Sequence, residues 1–295
     1  MRVALVLALA AAACEPLPPP ATPGRARPEP VAAGARDPIN RRDVAWLHAE
    51  AERVMHELIG SLDDNQRSEV EGVTLSHDDF FGIVNAFAGC EGMQPAIAVT
   101  DAMLDILARL AAARAMEERF DVDATDAYME WAAHHHAAPP DGREDPAMWN
   151  DRKKLALQRD IYDEEVGWVI GHELAHHYLG HLRCARDGGI VDDLRHVAQS
   201  LVPAFQQVDE LAADAAGIDN LLATARRTGR PWRERGARLI LEMFARQEHL
   251  RIEDLAYAFV MTHPLSSIRL PALRAVVAAW HLTDGNLPII PVPRV

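Results

Sequence analysis

The stretch Gly171-His172-Glu173-Leu174-Ala175-His176 places two histidines four residues apart, with a glutamate directly after the first. On an α-helix, residues four apart point in nearly the same direction, so both imidazoles can reach one tetrahedral metal ion. Zinc held in this way acidifies a water molecule, and a neighbouring carboxylate can take its proton. The stretch therefore predicts a zinc-binding helix with His172 and His176 as ligands and Glu173 as the general base of a hydrolase.

The sequence around this stretch decides between a real site and coincidence. With 14 histidines in 295 residues, the odds of a chance match are on the order of one in twenty, so the pattern alone is only moderately specific. The acidic run Asp163-Glu164-Glu165 suits the first turn of a helix, and the apolar residues after it suit burial. We expect a buried helix from about Glu164 to Arg183, ending before Gly188-Gly189.

Composition and charge restrict the class of protein. The chain has 295 residues, 49% of them hydrophobic, which is enough for one main domain with a sizeable core. The formal net charge is −14, and no basic stripe is present that could neutralise phosphates. These features exclude nucleic acid as an expected partner.

The N-terminus has the pattern of an export signal. Met1-Arg2 precedes the apolar run Val3–Ala13, which is too short to span a membrane as a mature helix, so we interpret residues 1–14 as a signal peptide. The segment ends in Ala11-Ala12-Ala13-Cys14, which resembles a bacterial lipoprotein signal with Cys14 as the lipidated residue, although Ala11 replaces the usual leucine. Ordinary cleavage after Ala-x-Ala is the alternative. Either way we expect export to the bacterial periplasm; with the lipid, the protein is anchored to a membrane, the outer membrane being favoured.

The rest of the chain divides into a tether and a folded domain. Residues 15–39 are rich in proline, which favours an extended tether, and 40–295 form the expected domain, with 120–150, including His134–His136, as an insertion that could cover the cleft. Two apolar runs, Phe80–Phe87 and Ala96–Thr100, predict a hairpin or small sheet. Apolar periodicity predicts helices over Arg41–Ile59, Asp101–Arg119 and about 190–202, 203–225, 231–247, 250–260 and 266–282. The expected fold class is α+β, mostly α-helical.

Two cysteines remain if Cys14 carries a lipid. Cys90 and Cys184 make an even number in an oxidising compartment. A disulfide between them and two separate buried thiols are about equally compatible with the sequence.

A catalytic zinc ion needs a third protein ligand and an open position for water. Glu210 and Asp214 are four apart, so one can be a ligand while the other accepts the free N–H of a ligand histidine. Two solvated acids on an amphipathic helix are the alternative. The small residues around them, from Ala212 to Gly217, favour close packing against the zinc helix.

Four short signatures in this order point to a known family. They are NAFA (Asn85–Ala88), H-E-x-x-H with His181 five residues on, E-x-x-x-D (Glu210–Asp214) and H-P-x-x-x-x-R (His263-Pro264 to Arg269). The set resembles the HtpX and CAAX-prenyl-protease family of zinc metallopeptidases over about residues 40–285. The resemblance implies a gluzincin fold, with a small edge sheet beside the zinc helix and one zinc ion per chain.

The resemblance also implies roles for individual residues. It implies Glu210 as the third zinc ligand and His263 as a group that assists at the oxyanion, although a turn histidine before proline is the alternative. An extended substrate is expected to add to the NAFA strand. The expected substrate-binding residues are Asn85, Ala86, Phe87, Ala88 and Arg269. His177 and His181 do not share the ligand face, so we interpret them as supporting or surface groups.

The expected function is that of a zinc-dependent metalloendopeptidase acting on protein or peptide substrates, in particular misfolded or unassembled envelope proteins. Membrane members of the family carry long apolar helices, and this chain has none after Ala13, so it resembles the exported, lipoprotein-type branch. A periplasmic chaperone or assembly factor with a latent protease site is the alternative. A purely structural zinc site is less favoured, since such sites usually close the fourth position with cysteine or histidine. The sequence leaves the oligomeric state open.

Overall fold

The fold is given by a computed structural model that describes residues 37–78, 84–134, 145–182, 184, 203–247 and 266–285. Within these residues the chain forms a helical body with one small sheet, which confirms the α+β, mostly helical prediction. The helices are α1 (Pro38–Arg41), α2 (Val44–Ile59), α3 (Asp64–Glu69), α4 (Asp101–Phe120), α5 (Thr125–His134), α6 (Pro146–Trp149), α7 (Arg152–Tyr178), α8 (Pro203–Thr228), α9 (Arg235–Gln247) and α10 (Ser266–Leu282). The strands are β1 (Thr74–Asp78), β2 (Ala86–Glu91) and β3 (Gln94–Thr100).

Helix α7 is the central element and carries the H-E-x-x-H stretch. The carboxylate of Asp151 caps its first turn by accepting from the N–H of Lys154, and Gly180, at φ 76°, turns the chain just beyond its end. The helix therefore begins at Arg152 and ends at Tyr178, so the prediction of Glu164 to Arg183 is wrong at both ends. The acidic run is not a first turn and lies in the middle of the helix.

Helix α7 is enclosed by four other helices. It packs against α8, α4, α9 and α2, and nearly all its residues from Ile161 to Ala175 are buried. Gly236 of α9 lies so close to α7 that a Cβ there would be 2.5 Å from the backbone nitrogen of Glu165. Such enclosure leaves every polar side chain in this part of α7 dependent on partners within the protein.

The sheet has strand order β1-β3-β2, with β1 parallel and β2 antiparallel to β3. Gly92, at φ 65°, forms the tight turn between β2 and β3. Strand β2 begins at Ala86, so the prediction of a strand over Phe80–Phe87 is wrong for residues 84 and 85, while residues 80–83 lie outside the described ones. Strand β1 was not predicted, because its sequence TLSHD has little apolar character.

Most of the predicted helices are confirmed with ends shifted by a few residues. Those predicted over Arg41–Ile59, Asp101–Arg119, 203–225, 231–247 and 266–282 correspond to α2, α4, α8, α9 and α10. The predicted helices at 190–202 and 250–260 lie outside the described residues. Within 120–150, helix α5 packs against α4 and α9 and buries Tyr128 and Met129. Among the helices that the structure describes, none combines the length and apolarity needed to cross a bilayer.

Candidate metal centre

Three buried side chains from two helices converge on one point. The Nε2 atoms of His172 and His176 lie 3.1 Å apart, and both face the carboxylate of Glu210 on α8. Oε2 of Glu210 is 3.3 Å from Nε2 of His172, and Oε1 is 3.4 Å from Nε2 of His176. The structure thus brings together the three residues that the sequence predicted as ligands.

Two glycines allow α8 to come this close to the histidines. A Cβ on Gly217 would lie 2.8 Å from the backbone nitrogen of His172, and one on Gly171 would lie 3.1 Å from the carbonyl oxygen of Gly217. Any larger residue at position 217 would push the helices apart. This crossing sets Asp214 and Glu210, which lie one and two turns before Gly217, beside the histidines.

The predicted partner of a ligand histidine, Asp214, is in place. Its Oδ1 lies 2.9 Å from Nδ1 of His172, so a ring protonated at Nδ1 donates to it. Arg269 of α10 donates to both carboxylate oxygens, from Nε at 2.7 Å and from a terminal nitrogen at 2.6 Å. The guanidinium also stacks 5.6 Å above the ring of Trp168. Arg269 therefore fixes Asp214, and Asp214 fixes His172.

The second ligand histidine has a different partner at its Nδ1. Nδ1 of His181, in the turn after α7, lies 3.1 Å from Nδ1 of His176. On its other side, Nε2 of His181 is 3.6 Å from Oδ1 of Asp209. The sequence left His181 undecided between a supporting and a surface group, and the geometry places it beside a ligand.

The electrostatics of the centre favour a positive charge at the imidazoles. Burial by itself lowers the pKa of His172, but hydrogen bonds to Asp214 and Glu210 outweigh it and raise the pKa to about 10. Burial would raise the pKa of Asp214, yet the guanidinium of Arg269 outweighs it and lowers that pKa to about 2. The carboxylate of Asp214 stays ionised and stabilises a cation beside it.

The predicted general base is joined to the sheet. The main-chain N–H of Ala88 on β2 donates to Oε2 of Glu173 at 2.7 Å. The N–H of Thr100 donates to the carbonyl of Asn85 at 3.0 Å, so the backbone groups of Asn85 face β3. Along an antiparallel strand, the N–H and C=O groups of every second residue face the same neighbour, so those of Phe87 also face β3. The backbone groups of Ala86 and Ala88 therefore face the open edge of β2.

Two further contacts fasten the sheet to α7. His177 is buried and its Nε2 lies 3.1 Å from the carbonyl oxygen of Ala96 on β3, which separates it from the metal ligands. Cys90 and Cys184 form a disulfide that connects the end of β2 with the segment after α7. Of the two arrangements left open for these cysteines, the structure has the paired one.

Some predicted site residues take other positions. Arg269, expected among the substrate-binding residues, is 2% exposed and lies beneath the centre, where it contacts Asp214. His263 and Cys14 lie outside the described residues. The bond from Ala88 to Glu173 was missed, because a main-chain amide has no signature in the sequence.

The donor set fits zinc. Two imidazole nitrogens and one carboxylate oxygen, all buried and within 4.8 Å of one another, are the ligand types and the number found in catalytic zinc sites. The group is the only one of its kind among the residues that the structure describes. A carboxylate beside this donor set, reached by the amide of an edge strand, is the arrangement expected of a metallopeptidase.

The comparison with protein families agrees with this class. Residues 42–277 match the model of peptidase family M48, which covers most of the 295 residues. The chain therefore belongs to peptidase family M48, whose members are zinc-dependent metallopeptidases. No curated protein and no solved structure matches the chain.

Proposed function

We propose that the protein is a zinc-dependent endopeptidase in which His172, His176 and Glu210 hold the metal and Glu173 is the general base. The observation that carries the proposal is the convergence of these three side chains beside the carboxylate of Glu173, which accepts a hydrogen bond from β2. A zinc ion bound there would act as a Lewis acid on the scissile carbonyl and would acidify a water molecule.

The remaining chemistry belongs to side chains of the protein. Glu173 takes a proton from the attacking water and then delivers it to the leaving amine, the usual two-step role of such a carboxylate. The hydrogen bond from the amide of Ala88 fixes the direction in which the carboxylate of Glu173 faces. His263 is proposed to assist at the oxyanion on the basis of the family resemblance alone.

The substrate is proposed to bind as an added strand. Backbone groups at Ala86 and Ala88 face the open edge of β2, so an extended peptide can form main-chain hydrogen bonds there. Because the N–H of Ala88 already donates to Glu173, the carbonyl of Ala88 and the groups of Ala86 are the ones available to the peptide. This mode recognises extended backbone, which favours unfolded segments of proteins as substrates.

The biological setting is proposed from the sequence. The export signal and the lipobox-like end at Cys14 favour an exported lipoprotein of the HtpX-like branch, held at a membrane by the tether of residues 15–39. Misfolded or unassembled envelope proteins are then the expected substrates. Membrane extraction with and without Cys14→Ser tests the anchor, which is disproved if both forms partition equally.

The variant Glu173→Gln tests the activity. It keeps the size of the side chain and removes its basicity, so casein hydrolysis should fall by about 10²–10⁴-fold while the zinc content stays near one per chain. Glu69→Gln, at an exposed position on α3, is the control and should retain full activity. Chelation of the wild type should abolish hydrolysis and added zinc should restore it. Hydrolysis retained by Glu173→Gln would contradict the mechanism.

A further inference from the structure

The two predicted zinc-ligand histidines are supported in different ways. His172 receives an ionised carboxylate at Nδ1, since Asp214 lies 2.9 Å away and is itself fixed by Arg269. At His176, Nδ1 lies 3.1 Å from a ring nitrogen, Nδ1 of His181.

This contact offers an acceptor for the tautomer of His176 that binds a metal through Nε2. A histidine that offers Nε2 to a metal must carry its proton on Nδ1, and that N–H needs an acceptor. If Nδ1 of His181 accepts it, the proton of His181 has to be on Nε2. That atom faces Oδ1 of Asp209 at 3.6 Å, which is longer than a direct hydrogen bond but within range of electrostatic attraction.

The shape of the chain after α7 brings His181 back to the helix. Gly180 has a φ of 76°, which reverses the direction of the backbone directly before His181. The N–H of Leu182 then donates to the carbonyl of His176 at 3.1 Å, so the turn is closed onto the ligand residue itself. The two imidazoles meet edge to face, with ring centroids 5.0 Å apart.

We propose that His181 is a positioning residue for the metal: backed by Asp209, it holds His176 in the tautomer that presents Nε2 to zinc. The inference rests on the proposed function, because it concerns the same centre. It assigns to the histidine five residues after the H-E-x-x-H stretch a role that the ligand set alone does not give it.

The neighbouring histidine provides a matched control. His177 lies on the same helix and is buried, but its Nε2 faces the carbonyl of Ala96 on β3, away from the ligands. A loss of packing would be felt at both positions. Only His181 should change the binding of zinc.

The experiment measures zinc affinity of the full-length protein by competition with a chelator of known affinity. For His181→Ala we expect zinc binding about 10–100-fold weaker, which is the usual effect of removing a group that orients a metal ligand. His181→Gln should recover most of the affinity, since its amide oxygen can accept from Nδ1–H of His176. His177→Gln should bind zinc like the wild type.

A second readout separates positioning from folding. The melting temperature of the zinc-free protein should be nearly the same for His181→Ala, His181→Gln and the wild type. The increase in melting temperature on adding zinc should be smallest for His181→Ala, since stabilisation by a ligand follows its affinity. If His181→Ala does not fold, the zinc affinities of His181→Gln, Asp209→Asn and the wild type give the same test. We then expect Asp209→Asn to bind zinc more weakly than the other two.

The outcomes distinguish the two proposals. Equal zinc affinities of the wild type and His181→Ala, in proteins that bind zinc and cleave casein, overturn the role of His181 and leave the proposed function intact. A wild type that binds no zinc and cleaves nothing overturns the proposed function itself. An equal loss of affinity in His177→Gln and His181→Ala also contradicts the proposal, because it assigns the effect to packing.

Discussion

The two halves of helix α7 treat their buried polar groups differently. In the C-terminal half, His172 contacts Asp214, and Asp214 accepts from Arg269, so these two buried groups have partners of complementary character. The N-terminal half contains three consecutive buried acids. Asp163 pairs with Arg53 and Glu164 with Arg235, whereas neither carboxylate oxygen of the fully buried Glu165 has a hydrogen-bond partner among the residues that the structure describes.

The pKa of each buried acid depends on how far a nearby cation offsets the effect of burial. Burial raises the pKa of Asp214, but Arg269 more than compensates and the carboxyl stays ionised. Burial raises the pKa of Glu165 well above its ordinary value, the neighbouring Glu164 raises it further, and Arg235 does not offset these effects. The C-terminal half therefore contains a buried acid whose pKa is lowered, and the N-terminal half contains one whose pKa is raised.

The largest expected effect comes from removing the cation of the C-terminal half. Arg269→Ala leaves the buried carboxylate of Asp214 without its guanidinium partner, which should lower the free energy of unfolding by about 3–5 kcal/mol. The measurement is urea denaturation of zinc-free protein in the presence of a chelator. Arg274→Ala, on the same helix, is the control, because its side chain is 59% exposed and forms only a 3.6 Å ion pair with Glu242. Similar losses in both variants would contradict the comparison.

A smaller effect is expected from widening the crossing that builds the paired half. In Gly217→Ala the new Cβ would lie 2.8 Å from the backbone nitrogen of His172, so α7 and α8 must separate. The expected loss is about 1–3 kcal/mol of unfolding free energy, with weaker zinc binding because Glu210 moves with α8. Thermal denaturation and zinc titration measure both. Gly89→Ala is the stability control, since a Cβ added there would have no described atom within 4 Å. If Gly217→Ala keeps the stability and zinc affinity of the wild type, the two helices do not meet as described.

A pH-dependent effect is expected at Glu165. Because burial raises its pKa in the folded state, the folded protein retains this proton at pH values above 4.5, the ordinary value for glutamate, where the unfolded chain releases it. Stability from this group is therefore complete below that pH and falls as the pH rises, by up to about 1.4 kcal/mol per pH unit. Glu165→Gln should equal the wild type near pH 4 and become more stable than it at higher pH.

Urea denaturation at pH 4, 6 and 8 measures this divergence in zinc-free protein. Glu164→Gln is the informative companion, since it leaves Arg235 without its buried carboxylate and should destabilise the protein at pH 8. Parallel pH dependence of the wild type and Glu165→Gln would show that Glu165 is ionised and paired in the folded state.

The candidate metal-binding residues could be predicted from the sequence because their spacing follows the helical repeat. His172 and His176 need only this repeat, and Glu210 with Asp214 has the same four-residue interval on α8. The contact between Asp214 and His172 was expected on that basis and is present. Residue spacing within a helix does not predict how closely two helices pack. Here Gly171 and Gly217 determine the distance between α7 and α8.

Other features depended on contacts between distant segments and were not predictable. The acids at 163–165 were interpreted as a first helical turn, because acids are rarely buried in the middle of a helix without partners. The partners of Asp163 and Glu164 are Arg53 and Arg235, which lie more than 70 residues away in the sequence. Strand β1 is held by pairing with β3, which its polar sequence does not indicate. The role of Arg269 became clear only from its position beneath Asp214.

The disulfide between Cys90 and Cys184 also affects how the protein withstands proteolysis, including its own. The two cysteines are 94 residues apart, and the loop they close contains α4, α7 and both histidine ligands. A chain cut once anywhere inside that loop remains a single covalent molecule. Fragments would separate only after reduction, so a nicked protein keeps the edge strand and the zinc helix together in one piece.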